Sequence, residues 1–284
     1  MKTKCIILLF FLMPIAMSAQ DDLLGEIDTG PAPIEAVSSV FKGLKIVNFE
    51  STKLTAKKEL TLVIAHRFGS IDKGFDTFFG LDDAVTRINF IYGVTDWLNI
   101  SASRSSFQKI YEAALKFRLI SQKKGSFPVT VVSYNSVLLN TALDENNFPG
   151  LEFQDRMGYT AQLLISRKVT KGLSLELAPT FFHDNFVTID EQENSQYALG
   201  IGGRLKLSSR WSLNVDYGYH FNRAENSPFK DPLSIGFDLE TGGHVFQMHF
   251  TNAQPMNTNG FLGQATGDWS TGNIYFGFNL SRVF

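Results

Sequence analysis

The sequence predicts an all-β fold: a transmembrane antiparallel up-and-down β-barrel of about 12 strands. Three observations predict it. From residue 59 onward, apolar and polar residues alternate with a period of two, as they do in strands whose two faces have different environments. The connections between these runs alternate between short and long. The chain also begins with a stretch typical of an export signal.

The first residues predict a signal peptide at residues 1–19. Lys2 and Lys4 precede an apolar run at residues 6–15, and the small residues Ser18 and Ala19 stand where signal peptidase cuts. The run is too short for a membrane-spanning helix. A buried N-terminal strand or helix is the alternative.

Composition excludes several classes of protein. Cys5 is the only cysteine and lies inside the predicted signal peptide, so the mature chain would have no disulfide and no cysteine metal site. A formal net charge of −2 gives no reason to expect a nucleic-acid partner. No later stretch of about 20 apolar residues predicts a transmembrane helix. We expect no cofactor and no metal.

Residues 20–58 differ from the rest of the chain. Gly25, Gly30, Pro31 and Pro33 interrupt any regular element. We predict a periplasmic N-terminal segment or partial plug here, followed by a barrel domain at residues 59–284.

The first six strands are predicted from alternation, in order along the chain. In the second of them, Ile88, Phe90 and Tyr92 face one side, and Arg87 and Asn89 face the other. The fifth is apolar but less regular, so its register stays open. The runs lie at residues 59–68, 86–92, 97–103, 111–119, 128–138 and 159–166.

The second six strands follow the same rule. In the longest, Trp211, Leu213 and Val215 alternate with Ser212 and Asn214. The runs lie at residues 173–181, 197–206, 211–221, 233–239, 246–251 and 274–281. The even total agrees with bacterial single-chain barrels.

The connections predict the orientation of the barrel. Outer-membrane barrels have short periplasmic turns and longer outer loops. The expected turns are at residues 93–96, 121–125, 170–172, 208–210 and 240–243. The expected loops are at residues 69–84, 139–157, 184–194, 223–232 and 252–271, with one short link at 105–109. Both ends of the barrel domain would then be periplasmic.

Strand length and aromatic placement favour a membrane barrel over a soluble sandwich, which also has two-faced strands. Many runs have about 9 to 11 residues, the length needed by a tilted strand that crosses a bilayer. Aromatic residues at the strand ends fit the two membrane interfaces. They are Tyr92, Trp97, Tyr111, Tyr159, Phe181, Tyr197, Trp211 and Phe221.

The last strand resembles the signal that the barrel assembly machinery reads, with Phe276, Phe278 and Leu280 alternating before a final Phe284. Arg282 departs from the usual apolar choice. In a bilayer every backbone polar group must be paired, so this strand should pair with the strand that begins near Glu59. The expected partners are outer-membrane lipid and the assembly machinery. The cargo is unknown.

Several stretches resemble a family of exported bacterial β-barrel proteins that is catalogued as a domain of unknown function. They are HRFGSIDKGFDTFFGLDDAVTR from His66, YGVTDWL from Tyr92, SIGFDLETGGHVFQMHFTN from Ser234 and GDWSTGNIYFGFNLSRVF from Gly267. The resemblance covers nearly the whole mature chain. It implies a barrel in the cell outer membrane, and it implies no activity.

The inward faces of the predicted strands carry both charge signs. These residues either line a pore and tune its selectivity, or form a polar network that fills a narrow lumen. They are Arg87, Glu112, Lys116, Arg118, Glu176, Arg204, Lys206, Asp216, His220, Asp238 and His249.

The other candidate residues lie near the outer ends of strands and in loops. His66 and His183 could belong to a lipid hydrolase, but no G-x-S-x-G motif is present, and interfacial histidines are favoured. Solvated loop acids are favoured over a calcium site at Asp76, Asp82, Asp83, Asp144 and Glu145. A helical turn at residues 74–80 could insert Phe75, Phe78 and Phe79 into the barrel mouth.

The function expected from the sequence is a non-enzymatic passive channel or small-solute carrier of the outer membrane. A plugged structural or surface-interaction barrel is the alternative, and an outer-membrane lipid hydrolase is the third hypothesis.

Overall fold

The computed structural model describes residues 40–189, 191–241 and 244–284. The predicted signal peptide and residues 20–39 of the predicted N-terminal segment lie outside the described residues.

The described residues form one closed antiparallel barrel of twelve strands, in which each strand pairs with its neighbours in the chain. The strands are β1 (Leu60–Ser70), β2 (Ala84–Thr95), β3 (Leu98–Ser105), β4 (Ile110–Ile120), β5 (Thr130–Asn140), β6 (Met157–Lys168), β7 (Leu173–Asp184), β8 (Ser195–Lys206), β9 (Trp211–His220), β10 (Leu233–Thr241), β11 (His244–Thr251) and β12 (Tyr275–Val283). The predicted fold class is confirmed.

Helical structure in the described residues is short. There are three 3-10 turns, at Ile71–Thr77, Phe107–Lys109 and Gln154–Arg156, and one helix, α1 (Thr258–Gly263). None of the described helices is long and apolar enough to cross a bilayer.

The alternation predicted from the sequence separates the two faces of the wall. In β2, Ile88, Phe90 and Tyr92 are exposed on the outside, whereas Arg87 and Asn89 are buried inside the barrel. The outside of the barrel is thus apolar, as contact with lipid requires.

Strand β5 explains why its register was hard to predict. It begins and ends two residues later than predicted. Its inward residues include Val132, Tyr134 and Leu138, which are buried. Both faces of β5 are therefore rich in apolar residues, and the simple alternation is lost because the inside of the barrel contains an apolar cluster.

Exposed aromatic side chains lie near the ends of the strands, as predicted. We call the two ends of the barrel the short-turn end and the long-loop end, after the connections found there. Tyr92, Trp97 and Trp211 are near the short-turn end. Those near the long-loop end are Tyr111, Tyr159, Phe181, Tyr197, Tyr219 and Phe221.

The barrel closes between its first and last strands, which confirms the predicted pairing. Leu60 and Phe284 exchange two backbone hydrogen bonds, of 3.2 and 2.8 Å. Ile64 pairs with Leu280 farther along the seam. On the outside, the ring of Phe276 lies 5.8 Å from that of Phe68.

We predict that a cross-strand disulfide forms in the variant Val63→Cys/Ser281→Cys. These residues are direct partners. Because Leu60 and Phe284 form a hydrogen-bonded pair, Val63 and Ser281 form a non-hydrogen-bonded one, with Cα atoms about 4.5 Å apart. In a chain expressed without residues 1–19, which removes Cys5, non-reducing gel electrophoresis after boiling should show a cross-linked species of altered mobility.

The matched control is Val63→Cys/Val245→Cys. Ser281 pairs with both Val63 and Val245, so these two residues lie two strands apart. That separation is about 9.5 Å, beyond disulfide reach. Equal cross-linking of the two variants, or none in the first, would contradict the closed register.

Candidate functional site

The inside of the barrel is occupied by residues 40–56, which we call the inserted segment. It enters at the short-turn end, where the hydroxyl of Ser174 donates a hydrogen bond of 2.6 Å to the carbonyl of Val40. It returns to the same end, where the backbone N–H of Thr55 donates to the side chain of Asn99. The segment then continues into β1.

The middle of the inserted segment is a tight hairpin. Lys45 and Glu50 pair in an antiparallel bridge. The N–H of Ile46 donates to the carbonyl of Phe49 at 2.9 Å. This turn directs several consecutive backbone N–H groups away from the hairpin and toward the wall.

The carboxylate of Asp216 in β9 receives those N–H groups. Val47, Asn48 and Phe49 all donate to its Oδ2 atom, at 2.9, 2.7 and 3.1 Å. Hydrogen bonds to a charged acceptor contribute about 1.5–3 kcal/mol each. Asp216 is 1% exposed, so it is the buried anchor of the hairpin tip.

The side chain of Asn48 extends this contact to the neighbouring strands. Its amide nitrogen donates to the hydroxyls of Ser234 and Thr251, at 2.9 and 3.1 Å. Its amide oxygen accepts a hydrogen bond of 3.0 Å from Arg67. The tip therefore contacts polar groups on β1, β9, β10 and β11.

Inward-facing glycines make room for the apolar side chains of the hairpin. A Cβ atom on Gly202 would lie 2.2 Å from Ile46, and one on Gly200 would lie 2.3 Å from the ring of Phe49. Gly202 is the cross-strand partner of Asp216. The wall thus has a recess beside the anchoring carboxylate.

A second stretch of chain fills the lumen from the long-loop end. Residues 252–267 connect β11 toward β12, and Met256, Phe261 and Leu262 in this stretch are fully buried. The ring of Phe261 meets that of Phe49 edge-on, with centroids 4.9 Å apart. The two segments therefore touch inside the barrel.

The hypothesis that the turn at residues 74–80 constricts the mouth is wrong. Phe75 is 83% exposed, and Phe78 and Phe79 are also exposed. The rings of Phe75 and Phe79 pack against each other outside the barrel. The lumen at this end is already occupied by residues 252–267.

The two segments and the wall share an apolar cluster. The inserted segment contributes Phe49 and Leu54. The wall and the second segment contribute Ala114, Val132, Tyr134, Leu164, Ala178, Phe182, Ala198, Ala253, Phe261, Leu262 and Ala265. Burial of these groups inside a membrane barrel stabilises the filled state.

Ion pairs surround this cluster. Glu50 lies between Lys45 and Lys116, at 2.8 and 3.0 Å. The two ammonium groups compensate the charge of the buried Glu50 carboxylate, which would be costly without them.

A second buried pair lies closer to the other segment. Arg87 and Glu112 are 2.7 Å apart. Arg87 also donates to the carbonyl of Met256 at 2.9 Å, and Tyr134 donates to Glu112 at 2.8 Å. Arg87 therefore pairs with Glu112 of the wall and also binds the backbone of the second segment.

The structure brings most of the predicted lumen residues inside. Arg118 is half-buried near the end of β4, and Lys206 is exposed at the last residue of β8. Buried inside the barrel are Arg87, Glu112, Lys116, Glu176, Arg204, Asp216, His220, Asp238 and His249.

Three of the remaining buried residues contact groups near the inserted segment or the short-turn end. Glu176 accepts a hydrogen bond from the backbone N–H of Thr52, at 3.1 Å. Arg204 pairs with Glu240 at 2.9 Å. Asp238 accepts from Gln247 at 2.7 Å.

The two inward histidines differ from the other predicted lumen residues. Neither ring nitrogen of His220 or of His249 has a hydrogen-bond partner among the described residues. His220 packs near the ring of Phe182, with centroids 5.4 Å apart. His249 lies between two glycines, its cross-strand partners Gly236 and Gly277.

Small cavities remain along one side of the inserted segment. The largest, about 360 Å³, opens among Lys42, Lys53, Glu59 and Glu240 at the short-turn end. Two smaller ones, of about 40 and 20 Å³, continue along the inner wall beside Lys45. Space therefore remains between the inserted segment and the inner wall formed by β1, β2, β11 and β12.

The outward histidines form two matching cross-strand pairs. His183 Nδ1 lies 2.9 Å from the hydroxyl of Ser195, and His66 Nδ1 lies 3.0 Å from the hydroxyl of Thr86. Both are direct partners across neighbouring strands. The same cross-strand geometry occurs once with a serine and once with a threonine. It is that of a hydrogen bond at the membrane interface.

The loop acids do not converge. Asp144 accepts hydrogen bonds from Asn147 within its own loop. Among the described residues, no three His, Cys, Asp or Glu side chains are grouped so that they could hold a metal ion.

Sequence reasoning missed the partners of the wall residues. Asn48 and Phe49 lie in a stretch predicted only as a periplasmic segment or partial plug. The signal that could have indicated them is the row of glycines at 200, 202 and 218 on the inward face, because a missing side chain marks a close approach.

Comparison with known proteins identifies the family. Residues 41–284 match the family described as membrane bound beta barrel domain (DUF5777), so the chain belongs to it. No curated protein matches the chain. Membrane barrels of this kind lie in the outer membrane of bacteria, which is where we place this protein.

Solved structures share the architecture. The NanC porin has a TM-score of 0.50 at 10% identity, over 79% of this chain and 98% of that chain. The KdgM porin has a TM-score of 0.49 at 8% identity, over 79% and 98%. An outer membrane channel from Pseudomonas putida F1 has 0.44 at 14%, over 82% and 97%. At 10% identity the likeness to the NanC porin concerns the fold alone.

We predict that Gly202→Leu displaces the inserted segment. The new side chain would occupy the space of Ile46, and such overpacking costs about 1–3 kcal/mol. Trypsin should then cut the folded protein in detergent after Lys45 roughly tenfold faster than the wild type, because cleavage follows the population of the displaced state.

Gly203→Leu is the matched control, since this neighbour points to the opposite face of β8 and its Cβ would meet only Leu175 and a backbone oxygen. Equal cleavage of both variants and the wild type would show that the glycine recess does not hold the segment.

Proposed function

We propose that this protein is an outer-membrane channel for small solutes that is closed by the inserted segment and opens when the segment leaves Asp216. The observation that carries the proposal is the way the lumen is filled. It is filled by residues 40–56 and 252–267, which are not wall strands. Movement of these residues would widen the lumen without breaking the β ladder.

The contacts of the hairpin tip suit reversible release. Val47, Asn48 and Phe49 are held through backbone N–H groups that can exchange a carboxylate for water. Net contributions of hydrogen bonds are modest because water replaces the lost partner. Two small cavities adjoin Lys45, and one of them is also lined by Val47 and Asn48, so space remains directly beside the hairpin tip.

A plugged structural barrel is the second candidate. The apolar cluster that contains Phe49 and Phe261 favours it, because exposing these rings to a water-filled lumen is costly. In that case the filled lumen would be permanent, and the protein would act through its surface.

We also propose how the chain reaches its membrane. Residues 1–19 act as a cleaved signal peptide, and residues 20–58 form a periplasmic segment whose last part is the plug. The barrel assembly machinery reads Phe276, Phe278 and Leu280 of strand β12 together with the Phe284 that follows the strand.

We propose that the role is not enzymatic. The pair of His183 and Ser195 resembles part of a hydrolase site, but its twin at His66 and Thr86 has no serine. Among the described residues, the ring of His183 has no hydrogen bond to a third, orienting side chain of the kind that a serine hydrolase uses.

The central prediction is that Asp216→Ala raises ion conductance. Loss of the carboxylate leaves three N–H groups without their charged acceptor and weakens the closed state by about 2 kcal/mol or more. The ratio of open to closed protein should rise roughly thirtyfold, seen as new openings in planar bilayers. Asp216→Asn, which keeps an acceptor oxygen, should have a smaller effect.

Asp144→Ala is the control, since this loop carboxylate contacts only its own loop. Slower gel migration of the heated sample than of the unheated sample should verify that each variant is folded. If Asp216→Ala and a variant lacking residues 40–56 both show no openings in planar bilayers, the channel is excluded and the plugged barrel is favoured.

A lipid assay tests the enzymatic alternative. Wild-type protein and Ser195→Ala, each reconstituted in vesicles that contain a fluorogenic phospholipid, should release product at the same background rate. Release that depends on Ser195 would overturn the non-enzymatic assignment.

A further inference from the structure

A cavity at the long-loop end lies apart from the closing contacts around Asp216. It has a volume of about 120 Å³, and a smaller cavity of about 30 Å³ adjoins it. The two share a lining that includes Gln108, Asn140, Asp184, Phe186 and Gln264. We propose that this double cavity binds a neutral sugar, one pyranose unit at a time.

Side-chain amides dominate the shared lining. Asn140 donates to Gln108 at 3.3 Å, and Gln108 donates to Gln264 at 2.9 Å. Each amide carries both donors and an acceptor in one plane. A sugar hydroxyl also donates and accepts, so a row of amides is complementary to a ring of hydroxyls.

The smaller cavity contains polar groups that lack partners. Asn257 is 2% exposed, and both its amide atoms are without a hydrogen bond among the described residues. The Nε atom of Arg156 in the same lining is also unpaired. Leaving a buried polar group unpaired costs about 1–3 kcal/mol, so a ligand with hydroxyls would gain from pairing them.

Two aromatic rings line the larger cavity. Phe186 is held edge-on by Phe148, with ring centroids 4.7 Å apart. Phe229 lines the same cavity. A pyranose has C–H groups on its faces, which pack on aromatic rings, whereas its edge carries the hydroxyls. Rings and amides together suit this two-sided ligand.

The lining carries both charge signs, with the carboxylates of Asp155 and Asp184 and the guanidinium of Arg156, and this mixture favours a ligand without net charge. The Oδ1 atom of Asp184 accepts a hydrogen bond of 2.7 Å from Asn259, and the Oδ2 atom of Asp155 accepts one of 2.7 Å from the backbone of Glu152. These carboxylates are thus already engaged in local contacts. In the described part of the lining, the buried side-chain atoms left without partners are the two amide atoms of Asn257 and the Nε atom of Arg156.

The site does not depend on conduction. In the described part of the chain, no hydrogen bond joins a residue of the two cavities to Asp216 or to the hairpin tip, and binding can be measured whether or not the lumen opens. A closed barrel would use the site as a surface receptor, and a channel would use it as the first contact for its cargo.

Calorimetric titration of the folded full chain in detergent tests the proposal. The probes are glucose, galactose, N-acetylglucosamine and their disaccharides. We expect one of these series to bind, and we expect Gln264→Leu and Gln108→Leu each to raise its Kd about tenfold. Phe186→Ala should also weaken binding and provides a variant outside the amide row.

Gln122→Leu is the matched control, because Gln122 is an amide that bonds the backbone of Lys168 at the short-turn end. Its Kd should equal that of the wild type, and gel migration before and after heating should show that all variants fold. Absence of binding at sugar concentrations up to about 100 mM would overturn the proposal. So would binding of glycine or glutamate instead of sugars, or equal effects of Gln122→Leu and Gln264→Leu.

Discussion

The filling of the lumen depends on one carboxylate that receives three consecutive backbone N–H groups. Asp216 takes the N–H groups of Val47, Asn48 and Phe49 on a single oxygen. A run of N–H groups that point to one place carries a local positive potential, so an anion there is strongly preferred. The position of the hairpin, the contact of Phe49 with Phe261 and the remaining cavities all follow from this anchor.

The filled lumen gives the barrel two apolar surfaces with a polar layer between them. The outer surface faces lipid, and the inner cluster lies where two inserted stretches of chain meet. Between the two, inward wall residues form ion pairs. Glu112 is paired with Arg87 of the wall, and Lys116 is paired with Glu50 of the hairpin. Because buried charges are costly unless they are paired, the polar layer limits the positions that the inserted chain can take.

Most of the wall could be predicted from sequence, because strand alternation is a local property of the chain. The twelve runs and the seam between β1 and β12 were all expected, and β5 was uncertain because Val132 and Tyr134 place apolar groups on its inner face. The anchor could not be predicted, since Asp216 and Asn48 are 168 positions apart and nothing local links them. For the same reason the aromatic turn at residues 74–80 was a plausible plug, whereas residues 252–267 look like an ordinary loop.

The inserted segment and the wall are one continuous piece of chain, and this has a mechanical consequence. Residues 40 and 56 both lie at the short-turn end, and Lys58 is held there by a hydrogen bond of 2.7 Å to Gly93. A pull on the chain that precedes residue 40 therefore loads only one arm of the hairpin. The contacts of this arm would break one after another from the short-turn end. The hydrogen bonds to Asp216 would break after those that lie nearer to that end. The contacts of the segment would then break in sequence and not all at once, while β1 stays anchored through the hydrogen bond of Lys58 to Gly93.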